Sequence, residues 1–179
     1  QARALGRPAL ILALLTTVFG FGGVFAGFTY ISPFLQQVTG LPEKTVSPIM
    51  LVFGIGSAAG NWIGGKLADW RLMPTLFGSL FTLVLTMAVF AWAGSDPVWA
   101  VILVLIWGIS GFAMVPPLNM LVLKKAGEAA DLASSLNISA FNIGNALGAA
   151  LGGAAVQSAL ALRGAPAAGA VIGVVGLIL

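Results

Sequence analysis

Six stretches of this chain contain no charged residue at all: 8–42, 45–65, 72–95, 97–123, 132–162 and 164–179. The first five run for about 35, 21, 24, 27 and 31 residues, and the sixth for about 16. A helix needs roughly 20 consecutive apolar residues to cross a bilayer. The runs are continuously apolar without the alternation of a membrane strand, so the spacing predicts helices rather than a barrel. Charged residues make up only 7% of the chain and apolar residues 59%, and the mean hydropathy is +1.06. An ordinary soluble domain carries roughly 25% charged residues to cover its surface; thirteen charges cannot cover 179 residues.

The expected fold is therefore an all-α membrane protein, a single domain over 1–179 built as a six-transmembrane-helix bundle. The helices are placed at about 9–37, 46–67, 74–94, 97–123, 132–160 and 166–179. The chain opens without Met and stops inside an apolar run, so both ends read as cuts and the sixth helix as truncated. With neither Cys nor His present, thiolate and imidazole chemistry are excluded from this chain, and no catalytic residue, metal site or cofactor is expected. The net charge of +3 forms no basic stripe that could follow a phosphate backbone, so no nucleic-acid partner is expected.

The basic residues set the expected orientation, because Lys and Arg collect on the cytoplasmic side. Arg3 and Arg7 precede the first span, Lys66 and Arg71 lie between the second and third, and Lys124 and Lys125 between the fourth and fifth. These three places share one side; the other side has Lys44 and Arg163. The start of the chain is accordingly placed in the cytoplasm.

A repeat runs through the pattern. Gly56, Gly60, Gly64 and Gly65 in the second span recur as Gly144, Gly148, Gly152 and Gly153 in the fifth, 88 residues on. The prolines that open the first and fourth spans, Pro8 and Pro97, are 89 apart. Those near the start of the third and sixth, Pro74 and Pro166, are 92 apart. Three helices repeating as three must enter from opposite sides, which is the 3+3 inverted repeat of many secondary transporters.

Glycine every fourth residue lets another backbone come close. Gly56, Gly60, Gly64, Gly144, Gly148 and Gly152 are thus helix-packing positions. They serve either this bundle or, in the sharper reading, a second half that rocks against them. On the fifth helix Ser135, Ser139, Asn142, Asn145 and Ala149 fall within about 120° of each other, with Asn137 on the glycine stripe instead. Amides in hydrocarbon need partners, so this face lines a cavity or an interhelical network. Ser139, Asn142 and Asn145 are candidate pathway residues, with Ser57 and Asn61 a weaker echo on the second helix. Tyr30 and Trp107 join the candidate pathway because they stand on the spans interrupted by Pro33 and by Pro116-Pro117. Proline breaks the hydrogen-bond ladder there, as a simple kink or helix end or where backbone lines a cavity. The third helix, poor in polar groups, reads as lipid-facing.

Between the second and third spans lies the most specific short signal, Gly65-Lys66-Leu67-Ala68-Asp69, read as a loop. It resembles the cytoplasmic signature of the major facilitator superfamily, Gly-x-Leu-Ala-Asp-Arg-x-Gly-Arg-Arg in idealised form. It departs after Asp69: Trp70 stands for the base, Leu72 for the Gly, and Met73 and Pro74 for the final basic pair. Tyr30-Ile31-Ser32-Pro33, Gly60-Asn61-Trp62-Ile63-Gly64-Gly65 and the stretch from Ser134-Ser135-Leu136-Asn137 to Gly144-Asn145-Ala146-Leu147-Gly148 are similar to the arabinose-efflux-permease-like branch of bacterial drug:proton antiporters. The resemblance covers essentially the whole chain. It implies half of a twelve-helix major facilitator fold, the C-terminal half, in a bacterial inner membrane. It implies proton-coupled efflux of sugars, nucleosides or drugs by rocking of two halves, with Gly65, Asp69 and Arg71 as a cytoplasmic gating motif. The partners implied are a small-molecule substrate, protons, the bilayer and the other six-helix half. A non-transporting membrane subunit of a larger complex and a channel are the alternatives from other classes. Neither predicts both the inverted repeat and the decayed signature.

Overall fold

The computed structural model of the protein describes residues 7–179. The helices are α1 (Pro8–Phe28), α2 (Ile31–Gln37), α3 (Glu43–Trp70), α4 (Leu72–Ala93), α5 (Pro97–Ala113), α6 (Val115–Ala126), α7 (Ala130–Val156) and α8 (Gly164–Ile178). Short 3-10 turns at Gly127–Ala129 and Ala161–Arg163 precede α7 and α8. Among the described residues there is no strand.

Proline sets several helix starts, because the first turn needs no N–H donors. Pro8 and Pro97 occupy the first turns of α1 and α5. Asp96 caps α5, its carboxylate accepting from the backbone N–H of Val98 at 2.9 Å and of Trp99 at 3.1 Å. Pro116 and Pro117 sit in the first turn of α6, so the fourth span is two helices joined at Met114. The first span is likewise α1 followed by α2, interrupted at Thr29-Tyr30, with Pro33 in the first turn of α2.

Among the described residues, five helical stretches are long and apolar enough to cross a membrane: Pro8–Gln37, Glu43–Trp70, Leu72–Ala93, Pro97–Ala126 and Ala161–Ile178. Helix α7 is 27 residues long and is not among them. Its three asparagines and three serines dilute the apolar content, so composition supports five spans where six are expected.

Two features read as loops are helical. Gly65-Lys66-Leu67-Ala68-Asp69 forms the last turns of α3, and Arg71 alone separates α3 from α4. The segment continues the helix because Ala68 is buried on the bundle side while Lys66 and Asp69 point out. Lys124 and Lys125 belong to the last turn of α6, where cations complement the helix dipole.

Both glycine stripes are spent inside this bundle, which overturns the reading that they face a second half. The stripe of α3 lies on α5: a Cβ on Gly56 would stand 2.7 Å from the Leu105 carbonyl oxygen, and on Gly60 and Gly64 it would overlap the carbonyls of Ile109 and Ala113. The stripe of α7 lies on α1: a Cβ on Gly144 would stand 2.5 Å from the Val18 carbonyl oxygen, and on Gly148 and Gly152 it would overlap the carbonyls of Gly22 and Ala26. The close backbone approach that glycine permits has been used between neighbours. In each pair the partner advances by four residues as the glycine does, so the helices of each pair run parallel.

The two ends of the bundle differ in chemistry. At one end the start of α1, the start of α4 and the ends of α6 and α8 converge around a 340 Å³ apolar cleft lined by Ala9, Met73, Leu121, Lys125 and Leu177. Arg7, Arg71, Lys124 and Lys125 belong to this end. At the other, the Thr39 hydroxyl donates to the Gly94 carbonyl at 2.6 Å, and the Arg163 guanidinium donates to the carbonyls of Ala91 and Trp92 at the close of α4. Helix α4 buries Leu76, Leu80, Leu83, Met87 and Phe90 and exposes Phe77, Phe81, Leu85 and Trp92. That exposed apolar stripe suits contact with lipid, as expected for the third span.

Candidate functional site

Helices α1 and α7 pair through one glycine stripe and α3 and α5 through the other, and most of the candidate pathway residues lie on these four helices. At about 100° per residue, Phe21, Phe25 and Phe28 fall within about 60° of each other on α1, roughly opposite Gly20, Gly23 and Gly27. Gly23 lies against Gly169 of α8, and Gly20 against Leu80 of α4. The phenylalanine stripe therefore faces away from α4 and α8.

Tyr30 stands at the break between α1 and α2, half-buried, and its hydroxyl donates to the Ala149 carbonyl of α7 at 3.2 Å. A Cβ on Gly153 would collide with that hydroxyl, so the glycine makes room for the phenol. The bond ties the far end of the first span to α7. Asn145 is half-buried, one turn beyond Phe141. Asn142 is exposed and its amide donates to the Ile138 carbonyl at 3.0 Å. Ser139 is exposed and its hydroxyl donates to the Ser135 carbonyl at 3.1 Å. These two hydrogen bonds stay within α7, so Ser139 and Asn142 make no polar contact with another helix.

Trp107 is placed differently from the other candidates. It is fully buried, among Phe28, Phe53 and Phe90 with ring centroids at 6.4, 5.5 and 5.7 Å. Its indole Nε1 is buried with no hydrogen-bond partner. Gly27 lets it in, since a Cβ there would meet the indole at 2.9 Å. Trp107 thus lies behind the face rather than on it.

Asn137 is 1% exposed. It accepts from the Thr17 hydroxyl at 2.8 Å and donates to the Asn119 side chain at 2.7 Å, joining α1, α6 and α7. The sequence places Asn137 on the glycine stripe but shows neither partner, because they lie 120 and 18 residues away.

The signature residues lie at the basic end. Gly65 is half-buried and faces Pro116 of α6, to which a Cβ would stand at 3.9 Å. Asp69 is exposed. Arg71 lies over the Trp70 ring at 4.8 Å, and Lys66 over the Trp62 ring at 4.0 Å. Trp62 and Trp70 are themselves exposed. Exposed tryptophan beside Lys and Arg is the chemistry of a membrane–water boundary. The structure does not bring Asp69 together with Tyr30, Asn142 or Asn145; the gating motif and the pathway candidates occupy separate regions.

A helical bundle with an apolar exterior, paired parallel helices and basic residues gathered at one end is a multi-pass membrane protein. Residues 2–148 match the Major Facilitator Superfamily, and the chain belongs to that family, as an arabinose-efflux-permease-like member. It is 43% identical over 179 residues to the inner membrane transport protein YdhP of Escherichia coli, covering 100% of this chain and 46% of the relative. It is 31% identical over 163 residues to AraJ of Escherichia coli, covering 90% of this chain and 41% of that one. It is 29% identical over 157 residues to the purine ribonucleoside efflux pump NepI of Escherichia coli, covering 87% and 39%. The chain thus spans less than half the length of these relatives.

Proposed function

We propose that this chain is the C-terminal six-helix half, over 1–179, of a twelve-helix secondary transporter that exports small molecules across a bacterial inner membrane in exchange for protons. In this reading α7 is the sixth membrane span despite its polar face, because its asparagines and serines meet protein or a pathway instead of lipid. The observation that carries the proposal is the pairing of glycine stripes. The α3 stripe lies on α5 and the α7 stripe on α1, with one four-residue register in both. An inverted repeat of three helices maps the first pair onto the second. Such an internally closed half moves as a rigid body, which rocking of two halves requires. The basic end is then cytoplasmic and the chain starts there.

The names of the relatives support transport, and that of NepI, a purine ribonucleoside efflux pump, falls within the nucleoside class already expected. Sugars and drugs remain the other classes. Tyr30, Ser139, Asn142 and Asn145 face the pathway, with Trp107 supporting it from behind. Asp69, with Gly65 and Arg71, serves as a conformational latch at the cytoplasmic end. Proton coupling belongs to the other half: Glu43, Asp69, Asp96 and Asp131 all stand at helix ends. A carboxylate kept at the membrane centre costs roughly 2.5–3.5 kcal/mol on insertion scales.

The test is flux in proteoliposomes holding the full-length protein with an imposed pH gradient. Gradient-driven substrate movement, abolished by a protonophore, is expected. Gradient-independent passage would instead indicate a channel, and no passage a non-transporting subunit.

A further inference from the structure

We infer that the groove between α4 and α5 at the basic end holds an acyl chain of an anionic phospholipid, with Arg71 on its phosphate; this site depends on the membrane setting and not on the transport reading above. The groove encloses about 230 Å³ and is lined by Leu67 of α3, by Thr75, Gly78 and Thr82 of α4, and by Ile106 and Ile109 of α5. It opens outward: Leu67, Gly78 and Thr82 are exposed, on the flank of the same helix that exposes Phe77, Phe81 and Leu85.

The lining has polar residue types but little polar capacity. Thr75 donates its hydroxyl to the Arg71 carbonyl at 2.7 Å, Ser79 to the Thr75 carbonyl at 2.8 Å, Thr82 to the Gly78 carbonyl at 2.8 Å and Ser110 to the Trp107 carbonyl at 3.4 Å. With those donors occupied, a polar solute would lose its water without gaining partners, whereas a chain of methylenes loses nothing. Gly78 keeps the groove open. A Cβ there would meet nothing within 4 Å, unlike one on Gly60 or Gly148. Glycine inside a helix is less stable than alanine, and no contact among the described residues offsets that at Gly78.

Charge selects the occupant. Thr75, Gly78 and Thr82 fall within about 60° of each other on α4, and Arg71 stands one turn before Thr75, at the head of that stripe. Arg71 is exposed and lies over the exposed Trp70 ring at 4.8 Å, a pairing that belongs at the membrane–water boundary. A phospholipid has the same layout, with its phosphate at the boundary and a chain running inward beneath it. Guanidinium binds phosphate through paired donors, and an anionic headgroup leaves that phosphate without a cation of its own. A second copy of this chain fits less well. Packed here about a two-fold axis normal to the bilayer, it would set Arg71 against Arg71, and the exposed rings of Phe77 and Phe81 would hold its helix away from Gly78.

The test holds the full-length protein in phosphatidylcholine nanodiscs doped with a photoreactive lipid, a diazirine on the acyl chain of either phosphatidylglycerol or phosphatidylcholine. Phosphatidylglycerol is expected to label the peptides around 74–82 and 106–113 about fivefold more than phosphatidylcholine, the effect of one base beside an anionic headgroup. Arg71→Gln should bring the two probes level, and Arg71→Lys should keep the preference. Gly78→Leu, which fills the groove where nothing else stands, should cut labelling by both probes severalfold. Equal labelling by the two probes in the unsubstituted protein, a preference that survives Arg71→Gln, or unchanged labelling in Gly78→Leu would overturn the site. A dimer on size exclusion that Gly78→Leu disperses would give the groove to a second copy and overturn it too. The Arg71 variants lie outside the hydrocarbon and read the site even where Gly78→Leu fails to fold. No flux is measured, so either result leaves the transport reading where it stands.

Discussion

On α7 the amide of Asn137 is engaged by Thr17 and Asn119, whereas that of Asn142 reaches only the Ile138 carbonyl of its own helix. The two residues therefore respond differently to truncation. Asn137→Ala removes two side-chain hydrogen bonds and leaves the buried Thr17 hydroxyl without its interhelical acceptor. Interhelical hydrogen bonds in membranes average about 0.6 kcal/mol each and reach about 1.7, so a loss of about 1–2 kcal/mol is expected, read as a lower unfolding midpoint and lower yield in detergent. Asn142→Ala should change stability by less than about 0.5 kcal/mol, as a surface substitution does, while shifting the apparent substrate affinity of the full-length protein. Unfolding curves and binding isotherms of both variants check this; the opposite pattern would exchange the two roles.

At the scale of elements, glycines of the same composition do different things. Gly60 and Gly148 sit where a Cβ would overlap the backbone carbonyls of Ile109 and Gly22, whereas around Gly54 and Gly78 a Cβ would meet nothing within 4 Å. A backbone cannot step aside as a side-chain tip can, so Gly60→Val and Gly148→Val must separate their helix pairs. Overpacking of this kind typically costs about 1–3 kcal/mol, and both variants are expected to lose monodisperse protein on size exclusion. Gly54→Ala and Gly78→Ala should be neutral or stabilising by up to about 1 kcal/mol, the helix-propensity difference. Thermal unfolding of the four variants tests the pairing directly. Matched losses at Gly60 and Gly148 are also what two repeat-related interfaces require.

For the whole molecule the question is what this bundle does against its counterpart. Asp69 lies exposed in the last turn of α3, beside the basic end and away from Tyr30 and Asn145. In the proposed latch it meets a helix N-terminus of the other half, a contact worth about 0.3–1 kcal/mol and up to about 2 when partly buried. Losing about 1.4 kcal/mol shifts an inward–outward equilibrium about tenfold. Asp69→Asn should therefore change the distance distribution between labels across the cytoplasmic face, with substrate affinity within each state nearly unchanged. An unaltered distribution would reduce Asp69 to a solvated charge. The bundle alone, residues 1–179, should fold because its glycine stripes are satisfied internally, yet move no substrate down a proton gradient because the proposed pathway face has no opposing half. Flux through vesicles holding only this chain would refute the half-transporter reading.

The charge-free runs alone determined that this is a helical membrane protein, because thirteen charges leave no way to build a wet surface. Pro8 and Pro97 marked where helices begin, since proline's missing donor is harmless in a first turn, whereas Pro116-Pro117 read only as a break in the fourth span and the structure makes it the start of α6. The glycine spacing marked close approach, and the Gly65–Asp69 signature marked the family. Local pattern could not say which helix comes close to which. That Gly60 lies on Ile109 and Gly148 on Gly22 depends on contacts 49 and 126 residues apart, and so does the finding that the stripes serve this bundle and not another. For the same reason Trp107 reads from its span as a pathway residue but is enclosed by three other helices' phenylalanines. The rotation of α1 was hidden in the same way: Phe21, Phe25 and Phe28 show a stripe at helical spacing, but a stripe has no direction until α8 packs on the glycines opposite it. Sequence carries the period of each helix; only packing supplies its rotation, and rotation decides which residues face a core, a lipid tail or a substrate.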